Sequence, residues 1–201
     1  TGSKNLCLAG GVALNCVGNG KLLEEGIFDN IWIQPAAGDA GGALGGAYSV
    51  YYQEYDNERT VNPDKMDKMQ GAYLGPKFSD KEIKKYLDSV NAKYEYINNE
   101  DNLTDIVSGE IANEKVVGWH YDRMEFGPRS LGHRSIVADA RSQKMQSTMN
   151  LKIKYRESFR PFAPSILIEK ASDWFELNVE SPYMLLVAPV KKSKQIFTTK
   201  E

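Results

Sequence analysis

Two consecutive stretches decide the fold class: Lys4–Gly26, KNLCLAGGVALNCVGNGKLLEEG, and Ile27–Tyr55, IFDNIWIQPAAGDAGGALGGAYSVYYQEY. "KNLCLAGG" reads as a short buried strand ended by a glycine turn. Val12, Leu14, Val17, Leu22 and Leu23 then lead into a helix closed by Gly26. "IFDNIWIQP" supplies a second strand, stopped by Pro35. The Gly/Ala-rich run after it makes a second turn and helix, whose small residues let backbone approach backbone or ligand. Strand, glycine turn and helix, twice over, predict an α/β pattern.

Downstream, Asp56–Gln70 is polar and carries Asn62-Pro63. This places a linker at 61–71, between a first domain at 1–60 and a second at 72–201. In the second, Ser79 with Glu82 forms a capping box ahead of a helix that carries Ile83, Tyr86 and Leu87 on one face. "KYEYIN", "KVVGWHY", "SIVADA", "PSILIE" and "YMLLVAPV" read as strands. "LTDIVSGEIANE" and "SQKMQSTMNLKIK" read as helical, and "KASDWFEL" as a helical turn. The expected class is α/β (α+β), with no internal repeat.

A chain of 201 residues with 41% hydrophobic content can bury a core. Its 25 basic and 27 acidic residues, a net charge of -2, argue against a surface built throughout for nucleic acid. Cys7 and Cys16 have no CxxC partner and no His at ligand spacing, so we read them as reduced core or near-core thiols of a cytoplasmic protein. No apolar run approaches a membrane span and no signal h-region is present, so no membrane partner is expected. The sequence lacks an initiator Met and opens almost on a strand, as expected of a piece of something longer.

The positive charge is local. From Arg123 to Arg160 there are nine Lys or Arg and three acids, Glu125, Asp139 and Glu157. The arginines of "GPRSLGHRS" (Gly127–Ser135) lie in Gly/Pro turns rather than at helical surface spacing. Guanidinium forks match phosphate and carboxylate oxygens, so an anion site is preferred to a solvated basic face. Phe126, Tyr155, Phe159 and Phe162 offer a second reading, a stacking platform for single-stranded RNA. Core packing is the preferred use of Phe159 and Phe162, and no RNP-like, KH or helix-turn-helix signature appears. In the first domain, glycines at helix starts free N–H groups for phosphate. Asp39 is either a helix cap or a metal ligand, and Asn15, read inside the first helix, is either a surface residue or a ligand contact. His120 and His133 make no metal pair. His133 is the candidate for ligand contact, and His120, beside Trp119, for packing.

Four ordered blocks, "GGVALN", "PAAGDAGGALGGA", "MEFGPRSLGHRSIVADAR" and "IKYRESFRPFAPSIL", span residues 10 to 167. Together they resemble the O-carbamoyltransferase family of nodulation and antibiotic biosynthesis. The resemblance implies the C-terminal part of an actin-like ATPase (Kae1-like) domain followed by a YrdC-like domain, both incomplete. The YrdC-like domain takes carbamoyl phosphate and ATP with Mg to carbamoyl adenylate. The Kae1-like domain, with a divalent metal of iron type, passes the carbamoyl group to an acceptor hydroxyl. On this resemblance Arg129, Lys154 and Arg160 fall on the catalytic anion site, and Gly10, Gly11, Asn15, His133, Arg134 and Arg156 on the nucleotide and cofactor side. Asp39 falls on the metal site.

There are departures. The family's histidine ligands lie in an earlier part of the Kae1-like domain that this sequence does not hold, and later YrdC-like residues fall past Glu201. Ser130 stands where relatives commonly have Ala, and Asp122 where they have Gly. The chain alone is therefore expected to be inactive in the full reaction. An oligomer is compatible with this reading, and nucleic acid is not an expected partner. The enzymatic alternative, threonylcarbamoyl adenylate formation for tRNA modification, is disfavoured by the fused first segment.

Overall fold

The computed structural model describes residues 1–62, 64–65 and 67–196. Pro63 of the Asn62-Pro63 signal, Met66 and the tail 197–201 lie outside the described residues.

β1 (Asn5–Leu8) and β2 (Asn30–Ile33) pair in parallel, with Asn5 opposite Asn30 and Leu8 opposite Ile33. Parallel neighbours require a crossover, and α1 (Cys16–Glu24) supplies it, as the opening stretch predicts. Gly10 turns the chain at φ 89 and donates its N–H to the Ala37 carbonyl at 2.8 Å, which ties the two glycine turns together. Gly11–Leu14 is a 3₁₀ turn, and Gly26, at φ 61, ends the helical segment. α2 (Asp39–Ser49) continues into a π-helical turn at Val50–Glu54.

The chain forms two compact units. The first comprises residues 1–73, 126–131 and those from 165 onward; the second comprises 74–125 and 132–164. This partition cuts across a linear division at 61–71, for a reason of packing. Ala13, Ile33, Ala37, Met69, Ala72, Tyr183 and Leu185 make one buried cluster, with Phe126, Leu131 and Leu186 packed on it. The two strands, two helices and their glycine turns leave that cluster open, and apolar residues distant in sequence close it.

The second unit carries α3 (Asp80–Ser89) and α4 (Glu100–Ala112). Its antiparallel pair is β3 (Val117–His120) with β4 (Arg134–Val137). α5 (Met145–Thr148) runs into a π-helical turn at Met149–Ile153. The Ser79–Glu82 capping box forms as read, with Ser79 N–H donating to Glu82 at 2.8 Å and Glu82 N–H to Ser79 Oγ at 3.3 Å.

Three expected strands do not form. "KYEYIN" leaves Tyr94 and Tyr96 exposed and so has no face to bury, and the Tyr94 hydroxyl donates to Asp88 on α3 at 2.8 Å. "PSILIE" runs into α6 (Ile168–Trp174) of the first unit. "YMLLVAPV" is broken at Met184, whose φ of 54 is incompatible with an extended strand, and only Val190 bridges, to Phe175. Cys16 is half-buried and Cys7 exposed, so neither is a core thiol; both are free. Among the described residues no helix is long and apolar enough to cross a membrane. The chain is of mixed α and β structure, its strands gathered into two small sheets.

Candidate functional site

In the first unit, the glycine turns and Arg129 come together. Asn15 is the N-cap of α1 rather than a residue inside it, because its side-chain oxygen accepts the Gly18 N–H at 3.1 Å and so satisfies an orphan donor of the first turn. The Gly10 N–H is committed to Ala37, so Gly10 shapes the turn and is not an open phosphate donor; Gly11 is exposed beside it. Arg129 reaches the same turn and donates from Nη2 to the Leu14 carbonyl at 2.6 Å. Its Nε is buried with no hydrogen-bond partner. A crevice of about 10 Å³, room for a single water, lies beside it between Pro35, Ala36, Tyr183 and Phe126.

Asp39 is the first residue of α2 and is exposed. It does not cap the helix by its side chain, since Gly38 holds the N-cap. Among the described residues no three His, Cys, Asp or Glu side chains are grouped as metal ligands. Asp39 can offer one ligand, and the residues present do not by themselves fit a metal ion.

In the second unit, the turn entering β4 is organised by Glu125. This residue is 4% exposed, and its Oε1 accepts the His133 and Arg134 N–H groups, both at 2.9 Å. Arg134 Nε stands 3.8 Å from its other oxygen. The His133 ring donates from Nδ1 to the Arg123 carbonyl at 2.8 Å and meets the Tyr121 ring edge-on. Asp122, at φ 52, occupies a left-handed conformation that glycine adopts more readily, and it pairs with Lys77. The Lys77 hydrogen bond holds the Asp122 carboxyl below its ordinary value.

The remaining candidates lie on the loop after the second π-helical turn. Lys154 ends that turn, its N–H donating to the Met149 carbonyl at 2.9 Å, and its side chain is exposed and free of ion pairs among the described residues. Arg160 is engaged with Glu157 at 2.7 Å, so the clamp read from sequence is partly neutralised. The Arg160 hydrogen bond holds the Glu157 carboxyl below its ordinary value. Arg156 is half-buried; its Nε donates to Asn150 Oδ1 at 2.6 Å and its guanidinium lies 4.9 Å from the centre of the Phe162 ring. Tyr155 and Phe159 are 85% and 76% exposed, so Phe159 is not a core residue.

Three residues that organise these sites escape a reading by residue type. Asn19 is buried and donates to the Ala13 and Leu185 carbonyls at 2.8 and 2.9 Å. Glu125 and Asn150 are the others. The available signals were slight: an acid just ahead of the "GPRSLGHRS" turn, and a single amide in the apolar "MNL" before the basic loop.

Geometry thus defines a class, a mixed α/β chain with a fixed guanidinium and an open ammonium on one short loop suited to a small anion. Comparison with known proteins gives the family. The model described as carbamoyltransferase N-terminus matches residues 1–48, and that described as carbamoyltransferase C-terminus matches residues 108–199. The chain belongs to the carbamoyltransferase family. It is 41% identical over 197 residues to nodulation protein NolO of Bradyrhizobium diazoefficiens, covering 96% of this chain and 35% of that protein. It is 44% identical over 199 residues to nodulation protein NolNO of Sinorhizobium fredii, covering 97% and 28%. A similar protein of Synechocystis is 60% identical over 202 residues, covering 100% of this chain and 32% of its own length. The chain therefore spans about a third of the length of these relatives.

Proposed function

We propose that the whole protein is an ATP-dependent O-carbamoyltransferase whose YrdC-like part forms carbamoyl adenylate and whose Kae1-like part transfers the carbamoyl group. In this reading water converts carbamoyl phosphate to carbamate and phosphate. A carbamate oxygen then attacks the α-phosphate of ATP and expels pyrophosphate. An acceptor hydroxyl next takes the carbamoyl group, its proton is lost and AMP leaves. The observation that supports the reading best is the cationic loop inside the segment matched by the C-terminal carbamoyltransferase model.

The residues have distinct work on this reading. Arg156, fixed along one edge and one face, receives phosphoryl oxygens. Lys154 offsets charge as it develops on the attacked phosphate. Arg160 contributes what its pairing with Glu157 leaves. Arg129 stays with the Gly10–Asn15 turn, on the side assigned to the nucleotide. His133 and Arg134 follow the turn that Glu125 holds. Asp39 supplies at most one metal ligand. The acceptor is a small molecule or sugar bearing a hydroxyl.

Thermal unfolding tests this. Carbamoyl phosphate at a hundred times its Kd stabilises the folded chain by about 2.7 kcal/mol, a visible shift in Tm. Lys154→Ala and Arg156→Ala are each expected to shrink the shift at the same ligand concentration, through weaker but still measurable binding, without lowering the unliganded Tm by a comparable amount. A shift left undiminished by both substitutions would remove the loop from the site.

The exposed Tyr155 and Phe159 beside Lys152 and Lys154 give the RNA-binding reading a specific footing. It requires salt-sensitive binding of single-stranded RNA that Phe159→Ala abolishes.

A further inference from the structure

We infer that Asn150 is the positioning residue of the anion site, acting through Arg156; the inference rests on the reading of the 154–160 loop given above. Asn150 is 0% exposed, on the π-helical turn Met149–Ile153. An amide offers two donors and two acceptor lone pairs. Asn150 uses three of the four on one loop: Nδ2 donates to the Ser158 carbonyl at 3.1 Å and the Arg160 carbonyl at 2.8 Å, and Oδ1 accepts Arg156 Nε at 2.6 Å. One turn earlier on the same helical face, Gln146 donates to the Phe159 and Arg160 carbonyls at 3.3 and 3.1 Å.

These bonds do more than close a loop. They take Nε, while Phe162 covers one face of the guanidinium, so the plane of Arg156 is set by two independent contacts. Its Nη groups make no hydrogen bond to another described residue and remain available end-on, as a two-pronged donor for one phosphoryl group. Tyr155, at φ 50, holds the left-handed conformation between Lys154 and Arg156. The Arg156 N–H to Asn150 carbonyl bond at 3.0 Å closes the chain reversal there. A side chain that fixes a receptor before the ligand arrives lowers the ordering cost of binding. Aspartate at 150 would still accept from Arg156 but would lose both donors to the loop and bring a charge that competes with the ligand.

The test uses the purified 201-residue chain with carbamoyl phosphate and, separately, inorganic phosphate as probes in isothermal titration. Asn150→Asp and Asn150→Ala are each made alone and with Arg156→Ala, and Tm is recorded for all. Asn150→Asp is expected to weaken carbamoyl phosphate at least tenfold in the native background and less than twofold in the Arg156→Ala background. A role confined to holding the fold would weaken both backgrounds alike, and that outcome overturns the inference. The Arg156 Nε–H signal in a nitrogen-15 spectrum reads positioning directly. It should be slow to exchange in the native chain and lost in Asn150→Ala; persistence in that variant also overturns it. A native chain in which Arg156→Ala leaves binding unchanged sinks the proposed function of the loop, and this inference falls with it. Retained dependence on Arg156 together with indifference to Asn150 sinks the inference alone.

Discussion

The Glu125 side chain has no solvent exposure, which is tolerable because one oxygen accepts two backbone N–H groups and the other faces the Arg134 guanidinium at 3.8 Å. One oxygen receives two successive backbone N–H groups and so sets the path of the chain into β4, from which Arg134 projects. Glu125→Ala should leave both donors without this acceptor and cost roughly 3 kcal/mol, whereas Glu125→Gln, which keeps an acceptor oxygen, should cost about 1 kcal/mol; urea unfolding measures both. Asp139 gives a pH prediction. Its hydrogen bond from Arg141 holds the carboxyl at about 2, below the ordinary 3.8. A depressed carboxylate stabilises the fold above its unfolded value, and that contribution is lost as pH falls through the folded one. Asp139→Asn should therefore lose less stability than the native chain between about pH 4 and pH 2, the window in which only the native chain has this charge to lose. Equal losses over that window would show that the exposed Arg141 pair contributes nothing in solution.

Among the elements, a code is most readable where both partners lie within a turn of each other, though closeness is not sufficient. Ser79 and Glu82 are three residues apart, so their capping box could be read from sequence alone. Asn15 lies equally close to its partner, but the 3₁₀ turn before it moved the helix start and turned an interior residue into the cap. Glycines differ in the same way. A Cβ on Gly20 of α1 would sit 2.5 Å from the Val187 carbonyl oxygen, while one on Gly45 of α2 meets nothing within 4 Å. Gly20→Ala is expected to destabilise the fold by roughly 2 kcal/mol, and Gly45→Ala to stabilise it by about 0.5 to 1 kcal/mol through helix propensity. Denaturant unfolding of the two variants decides the matter, and the same sign for both would contradict the packing of α1 against residue 187.

For the molecule as a whole, the first unit takes residues from three separated parts of the chain. A chain cut to residues 72–201 retains Phe126, Leu131, Tyr183 and Leu185 but loses Ala13, Ile33 and Ala37, against which they pack. Its first-unit remnant should bind hydrophobic dyes and add nothing to the melt, leaving the second unit's transition alone, while residues 1–201 unfold with a larger enthalpy. A shorter chain that binds no dye and melts with the full enthalpy of residues 1–201 would contradict that core. The Tyr183 hydroxyl, pushed above its ordinary value by burial and then by its bond to Asp67 at 2.7 Å, belongs to the same closure. What the sequence alone determined was the βαβ start, the local caps, the concentration of cations between Arg123 and Arg160, and the family. All of these depend on residue type and short spacing. Tertiary structure alone decided that Arg129 docks on the Gly10–Asn15 turn, that Glu157 engages Arg160, and that Asn150 holds Arg156. The Arg129 contact joins segments far apart in the chain. The exposed Glu157–Arg160 pair is one of several charge pairings the basic loop could make. The Asn150–Arg156 contact depends on a π-helical turn and a loop reversal that residue type does not specify, because its geometry is set by which buried polar group finds a partner.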